Sequence, residues 1–206
     1  MTTPVLWQFG GGPGSWIYRF FDSLRQGLNV RLVRFIASRA LPAAGSIVIE
    51  AGSGPGSGSS VFRAKAGARL SVAVDYDPSA LLEARTRDAG LQAVVADIRC
   101  LPFRTGCCDL VWSSSTLEHL PDREVAMHEM ARVAKPGGHA FVGVPYRYGP
   151  LGFQQWIAGT PAGDWIGPVF GRGEVSAMLS RLGLRPKATY IYFFRFFVGV
   201  LAEKTK

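Results

Sequence analysis

Along the first forty residues, apolar side chains recur with the spacing of one helix face: Trp16, Ile17, Phe20, Phe21, Leu24 and Leu28, then Leu32, Val33, Phe35 and Ile36. The weak point at residues 27–29 predicts two helices or one kinked helix, and Pro42 closes the segment. From residue 46 the period changes. Residues 46–50, 70–75, 91–97, 109–114 and 139–145 form short runs that are apolar almost throughout. Between them lie stretches with helix punctuation. One has Asp77 as cap, Pro78 at the first helical position and Gly90 just past the end; another, 123–134, is stopped by Lys135-Pro136-Gly137-Gly138. Ser57 to Ser60 are expected to cap a further helix running to Gly67, and another helix is expected near 173–182. One long β-rich run then extends to Lys204. Runs apolar on both faces, alternating with helices, predict an α/β fold whose parallel sheet is covered on both sides.

In open parallel sheets, ligands sit beyond the carboxyl ends of the strands. Here those ends are Glu50, Asp75, Asp97 and the serine run 113–115. After Glu50 come Gly52, Gly54 and Gly56, alternate glycines that let the chain turn sharply and bring backbone N–H groups against a ligand. A phosphate-cradling loop needs a Gly-Lys-Ser/Thr ending, but the first lysine is Lys65. A dinucleotide loop needs GxGxxG, and the two frames meet Ser57 or Ser59 where the last glycine should stand. An acidic residue followed by GxGxG is the pattern that fits.

That pattern resembles motif I of the class I S-adenosylmethionine-dependent methyltransferases. "VAVDYDPSALLEAR", "VVADIRCLPF", "CCDLVWSSSTLEHLPD" and "EMARVAKPGGHAFVGVP" continue the resemblance in order, the last two in the manner of the type-11 branch. It covers roughly residues 45–145 and implies a Rossmann-like, seven-stranded, mostly parallel sheet with helices on both faces and an antiparallel last strand. It also implies a methyltransferase domain over 42–206, with 146–171 as a substrate-side insertion and 1–41 as an N-terminal helical cap. The implied cofactor is S-adenosyl-L-methionine, released as S-adenosyl-L-homocysteine. Its expected site comprises Glu50, Gly52, Ser53, Gly54 and Gly56, with Glu50 facing the ligand's ammonium directly or through water. Asp75 is expected to accept from the ribose hydroxyls, with the added strength of a charged acceptor. Asp97 is expected at the adenine amine, with the Ile98 N–H at a ring nitrogen and Tyr76 and Leu101 sandwiching the ring. Ser113 and Ser114 start the loop past the methionine portion, while Asp109, opening the fourth strand, is assigned to structure.

A sulfonium methyl is already activated, so such an enzyme chiefly holds a nucleophile in line and excludes water. A general base matters only when the nucleophile sheds a proton. His119 and Tyr146 are the catalytic candidates, Glu118 and Tyr148 weaker ones, and His128 and His139 are read as surface residues. No metal is expected. Segments 1–40 and 146–171 are rich in aromatic residues and glycine, and Trp16, Tyr18, Tyr148 and Trp156, with Trp7, Phe20 and Trp165, are expected to line a lid. An apolar lining suits a small hydrophobic or aromatic acceptor, lipid-like among others.

Charge adds a second theme. The net +8 divides as +4 over residues 1–41, −1 over 42–144 and +5 over 145–206. Basic ends fit an anionic partner, whether nucleic acid or an anionic membrane, and equally fit solvated arginine faces. The alternatives to a small-molecule enzyme are therefore an RNA or protein methyltransferase using those ends, or a cofactor-binding subunit without turnover. The fourth strand ends in Ser-Ser-Ser-Thr and lacks the Asn/Asp-Pro-Pro-Tyr/Phe signature of enzymes that methylate exocyclic or amide nitrogens, so nucleic acid is not the expected substrate. Cys100, Cys107 and Cys108 have no CxxC or zinc spacing, which points to a reducing, cytoplasmic setting. The greasiest stretch, 188–202, carries Arg195 at its middle and falls short of the about 20 residues a spanning helix needs. The expectation is a cytoplasmic monomer or homodimer, membrane-peripheral if it meets a membrane.

Overall fold

The computed structural model describes residues 16–41, 45–152 and 167–205, and in the first helix the side chains from Gly27 onward. The helix α1 spans Trp16–Ala40 without a break, so the weak point at 27–29 does not divide it. The alternation that follows is β1 (Ile47–Ala51), α2 (Ser57–Lys65), β2 (Leu70–Asp75), α3 (Pro78–Arg87), β3 (Gln92–Val95), β4 (Cys108–Ser114), α4 (Arg123–Val133) and β5 (Ala134–Pro145). Then come α5 (Arg172–Arg181), β6 (Leu184–Tyr192) and β7 (Phe197–Lys204). The seven strands lie in the order β3-β2-β1-β4-β5-β7-β6, with β1 to β5 pairing parallel and β7 antiparallel to both neighbours. This is the Rossmann-like sheet expected, and its strand order reverses between β1 and β4, where ligands of such sheets bind.

Over the central strands both sheet faces are dry, which explains the unbroken apolar runs. Along β4, Leu110 and Trp112 pack with Leu32, Val33 and Ile36 of α1 and Phe62 of α2, while Val111 packs on Met127 and Met130 of α4. Burying each such side chain is worth about 1.5–3 kcal/mol. The carboxyl part of α1 is thus a core helix, with Leu32, Val33, Ile36 and Ala40 buried. Asp77 caps α3 as its sequence promised, accepting from the Ser79 N–H at 2.9 Å.

Three local expectations change. The serines 57–60 do not precede α2 but form its first turn, after Gly56 at φ 67°. The helix α4 ends at Val133 with Ala134 as its C-cap, where Lys135 to Gly138 were expected to stop it, but β5 begins at Ala134 rather than at 139, with an irregularity opposite Cys108 and Leu110. The long β-rich run is a hairpin, β6 and β7, whose connection 193–196 closes through the Phe196 N–H donated to the Phe193 carbonyl at 2.9 Å. Phe193, Phe194 and Arg195 there have φ of 50°, 52° and 68°. Left-handed backbone costs a non-glycine residue about 1–2 kcal/mol, and Asn-Gly is the usual occupant of such turns. Among the described residues, no helix is long and apolar enough to cross a membrane.

Candidate active site

The loop between β1 and α2 is built by assigning each of its small residues a different contact. Gly52 has φ 76°, and a Cβ there would run into the Thr116 side chain. Gly56 sits against Ala84 and Leu91, and Gly58 against Trp112 and Glu50. Gly54, at φ 51°, is the one of these four whose Cβ direction opens on space. The Gly52 and Ser53 N–H groups donate to the Val74 carbonyl at 2.9 Å each, which pins the loop to β2. Ser53 itself is nearly buried. The serines after the loop are equally committed. Ser57 accepts from Asn29 of α1 at 3.2 Å, Ser59 donates to Glu50, and Ser60 bonds Asp88.

Glu50 does something its place in the motif does not reveal. Its Oε2 accepts from both the N–H and the hydroxyl of Ser59 at 2.6 Å. A carboxylate on the third amide of a helix answers an orphan donor and sits well against the positive end of the helix dipole. Glu50 therefore caps α2 from the neighbouring strand, since Gly56 has no side chain with which to do so.

Asp75 ends β2 and is 8% exposed. Its Oδ2 accepts from the Gly54 N–H at 2.7 Å and its Oδ1 from the Asp77 N–H at 3.0 Å. Each oxygen keeps a further acceptor direction, so the carboxylate is oriented by main chain and still able to take hydroxyl donors. Tyr76 follows with its ring 77% exposed. The Leu101 side chain is buried in the main core and its N–H donates to Glu129 at 2.9 Å. Ile98 is likewise a core side chain, so any part it has in a site belongs to its backbone. Asp97 is held by Arg99 through its backbone N–H at 2.8 Å and its guanidinium at 2.7 Å, which together keep the carboxyl below its usual range. An incoming amine would have to share that carboxylate with Arg99. Asp109 opens β4 and ties the Ile47 N–H at 2.8 Å to the Lys135 ammonium at 2.8 Å.

Beyond β4 the character changes. Ser113 is fully buried, and its hydroxyl has no hydrogen-bond partner among the described residues. Ser114 shares a 2.7 Å hydrogen bond with the buried Tyr192 hydroxyl. Ser115 takes φ 58°, and Thr116 donates to the Gly52 carbonyl at 3.0 Å, bracing this turn against the glycine loop. Glu118 is 4% exposed and its Oε2 has no hydrogen-bond partner among the described residues. Burial pushes its carboxyl up to about 8, against the pull of the Glu118 and Thr116 N–H groups and of Arg123, so it is largely protonated at neutral pH. His119 presents its side chain to solvent, yet the protein around it lowers its basicity. Tyr146 is 7% exposed and packed into the main core rather than standing open, with its ring edge-on to the exposed Tyr148 at 5.7 Å. Trp156, Trp7 and Trp165 lie outside the described residues, as do the side chains of Trp16, Tyr18 and Phe20.

Glu50, Gly52, Ser53, Gly54, Gly56 and Asp75 are therefore brought together at the switch point, with Tyr76 beside them. Thr116, Ser59 and Tyr192 are not legible in the sequence as parts of this edge. Serine and threonine are common in any loop, and Tyr192 arrives from 78 residues beyond Ser114.

A carboxylate steadied by a glycine loop thus stands at the switch point of a Rossmann-like sheet, where such folds take their ligands. Comparison with known proteins names the class. The type-11 family model described as "Methyltransferase domain" matches residues 49–142. The ubiquinone/menaquinone biosynthesis C-methyltransferase UbiE of Xylella fastidiosa (strain M23) is 30% identical over 180 residues, 83% of this chain and 66% of that one. This chain thus spans just under two thirds of that relative's length. Magnesium protoporphyrin IX methyltransferase (ChlM) from Synechocystis PCC 6803, solved with S-adenosylhomocysteine, superposes with a TM-score of 0.75 at 18% identity, over 97% of this chain and 93% of that one. A geranyl diphosphate methyltransferase in complex with S-adenosylmethionine gives 0.72 at 17% identity, over 95% and 93%. Residues 49–142 thus carry the type-11 methyltransferase domain, on the fold of the class I S-adenosylmethionine-dependent methyltransferases. The cofactor of that family is S-adenosyl-L-methionine.

The residues present fit that cofactor. Asp75 retains acceptor capacity toward a ribose, Gly54 leaves room for close approach, and Tyr76 offers an open ring face.

Proposed function

We propose that this protein moves a methyl group from S-adenosylmethionine to a small, apolar or aromatic acceptor by in-line displacement. The observation that carries it is Asp75, steadied through both oxygens by the Gly54 and Asp77 N–H groups yet open to further donors. When bound, the cofactor supplies an electrophilic methyl on a sulfonium. Asp75 accepts the ribose hydroxyls, Gly54 permits close approach of the backbone, and Tyr76 covers the adenine. Asp97 and the Ile98 N–H take the adenine edge once Arg99 shares its hold. Glu50 acts indirectly by keeping α2 in place. Ser113 and Ser114 line the methionine side.

His119, its imidazolium disfavoured by the protein around it, takes a proton from an acceptor that carries one. Glu118, protonated and buried beside it, can donate a hydrogen bond to an acceptor oxygen. A neutral acid and a neutral base suit an uncharged acceptor better than a polyanion, which favours a small molecule over RNA. The quinone-biosynthesis relative supports the same class. Incubating the enzyme with cell extract and isotopically methyl-labelled cofactor, then resolving products by mass spectrometry, tests this. A labelled small apolar product is expected, whereas label found in RNA or protein would overturn it.

A further inference from the structure

The β6–β7 hairpin shows an unusual combination of exposed apolar surface, positive charge and strained backbone. Its base is a packed aromatic cluster, with Tyr190, Tyr192, Phe193 and Phe197 rings 5.7–5.9 Å apart. At its tip Phe194 is turned away from that cluster and is 67% exposed. Phe194 and Arg195 occupy the two central turn positions, both left-handed, where Asn-Gly would fold without strain. Backbone strain borne to present a bulky side chain to solvent points to use of that side chain.

The surroundings say what it is used on. The turn lies at the carboxyl edge of the sheet, where Phe197 pairs with Pro145 and the Phe196 carbonyl accepts from the Tyr146 N–H at 2.8 Å. Gly149 backs onto the Arg195 carbonyl, which brings the exposed Tyr148 alongside. A groove of about 160 Å³ runs from the turn to Leu28 and Arg31 of α1, and exposed Ile191 borders it. Among the described residues, Arg31 and Arg195 have no ion-pair partner. Exposed aromatics interspersed with such arginines match the interface of an anionic lipid bilayer, where rings sit at headgroup level and cations meet acidic lipids.

We propose that the β6–β7 hairpin tip, Phe194 and Arg195 with Tyr148 and Arg31, docks this protein on an anionic lipid surface and holds the acceptor side of the site at the membrane. Its purpose rests on the methyl-transfer reading, but its geometry does not. An acceptor dissolved in the bilayer then reaches the site without crossing water.

The test is co-sedimentation of the full chain with vesicles of phosphatidylcholine alone or of equimolar phosphatidylcholine and phosphatidylglycerol. The protein is expected to pellet with the mixed vesicles and to be released by salt. The double variant Phe194→Asn/Arg195→Gly supplies the residues the turn prefers. It should melt at the same or a higher temperature while its partition falls about tenfold or more. A wild-type chain that stays in the supernatant, or a variant that pellets like wild type, overturns the proposal. So does a wild-type dimer that the variant converts to monomer without any vesicle binding, which would make this face a contact between copies. Calorimetry with S-adenosylmethionine on the same two proteins keeps the readings apart. Equal cofactor affinity is expected, and absent cofactor binding would count against methyl transfer while leaving the vesicle result standing.

Discussion

The two halves of the sheet's carboxyl edge are built on opposite principles. On the β2–β1 side, the carboxylates that end the strands are answered by main-chain N–H groups: Glu50 by Ser59, Asp75 by Gly54 and Asp77. On the β4–β5–β7 side, Glu118 and Ser113 keep buried oxygens without partners among the described residues, and Ser115, Phe193, Phe194 and Arg195 sit in left-handed backbone. A constant cofactor can be met by backbone geometry that hardly depends on side chains. On the reading proposed above, a constant cofactor uses the first half, and the acceptor supplies the partner that Glu118 lacks among the described residues on the second.

That contrast can be broken most forcefully at Glu118. Its folded carboxyl, at about 8, lies above its ordinary 4.5, so the folded protein holds a proton that the unfolded chain has released between those values. Stability from this group is complete below about 4.5 and is lost as pH rises through about 8. Glu118→Gln, which is neutral throughout, should gain on wild type across that window by several kcal/mol, about 1.4 kcal/mol for each pH unit that separates the folded from the unfolded carboxyl. Denaturant unfolding at a series of pH values reads this, and parallel curves for the two proteins would mean that the carboxyl is not held neutral.

Asp75→Ala comes next. It removes the acceptor from the cofactor side and frees the Gly54 N–H, and S-adenosylmethionine affinity should fall about 100-fold, roughly 2.7 kcal/mol. Equal affinity by calorimetry would remove the cofactor assignment. Glu50→Ala tests whether this acid is a cap or a ligand group. As a cap, its loss leaves the Ser59 amide unanswered and lowers unfolding stability by about 1–3 kcal/mol. If the chain keeps its stability and loses cofactor instead, Glu50 contacts the ligand. The smallest effect is expected from Thr116→Val, which deletes the 3.0 Å bond to the Gly52 carbonyl joining the two halves. A change near 1 kcal/mol in stability, or about fivefold in cofactor affinity, would show the halves coupled. No change in either would show them independent.

Much of the glycine-loop edge is legible in the sequence alone. Asp75 and the alternate glycines can be read because each stands at the end of an apolar run, and strand ends in parallel sheets face the ligand. Yet the glycines are unequal. Gly52, Gly56 and Gly58 are small because Thr116, α3 and Trp112 crowd them, whereas Gly54 opens on space. The surplus of Gly and Ser over 57–60 looks like a loose or late helix start, but each serine there has its own partner and Gly58 makes room for Trp112. Those partners come from α1, β1, β4 and the end of α3, and no local pattern announces them. Position after β5 alone points Tyr146 toward the reactive mouth, and the structure packs it into the core instead.

Periodicity and punctuation by themselves determined the succession of strands and helices, the placement of the first five strands and the acidic glycine turn after β1. Those depend on local propensity and on which faces must be dry, which sequence spacing records. Only the tertiary structure decided that Glu50 caps α2, that Glu118 loses its charge, that Asp97 answers to Arg99, and that the last apolar run folds into a hairpin with Phe194 at its tip. Each of these depends on burial or on partners that sequence spacing does not record, and burial is a property of the packed molecule rather than of any stretch of residues.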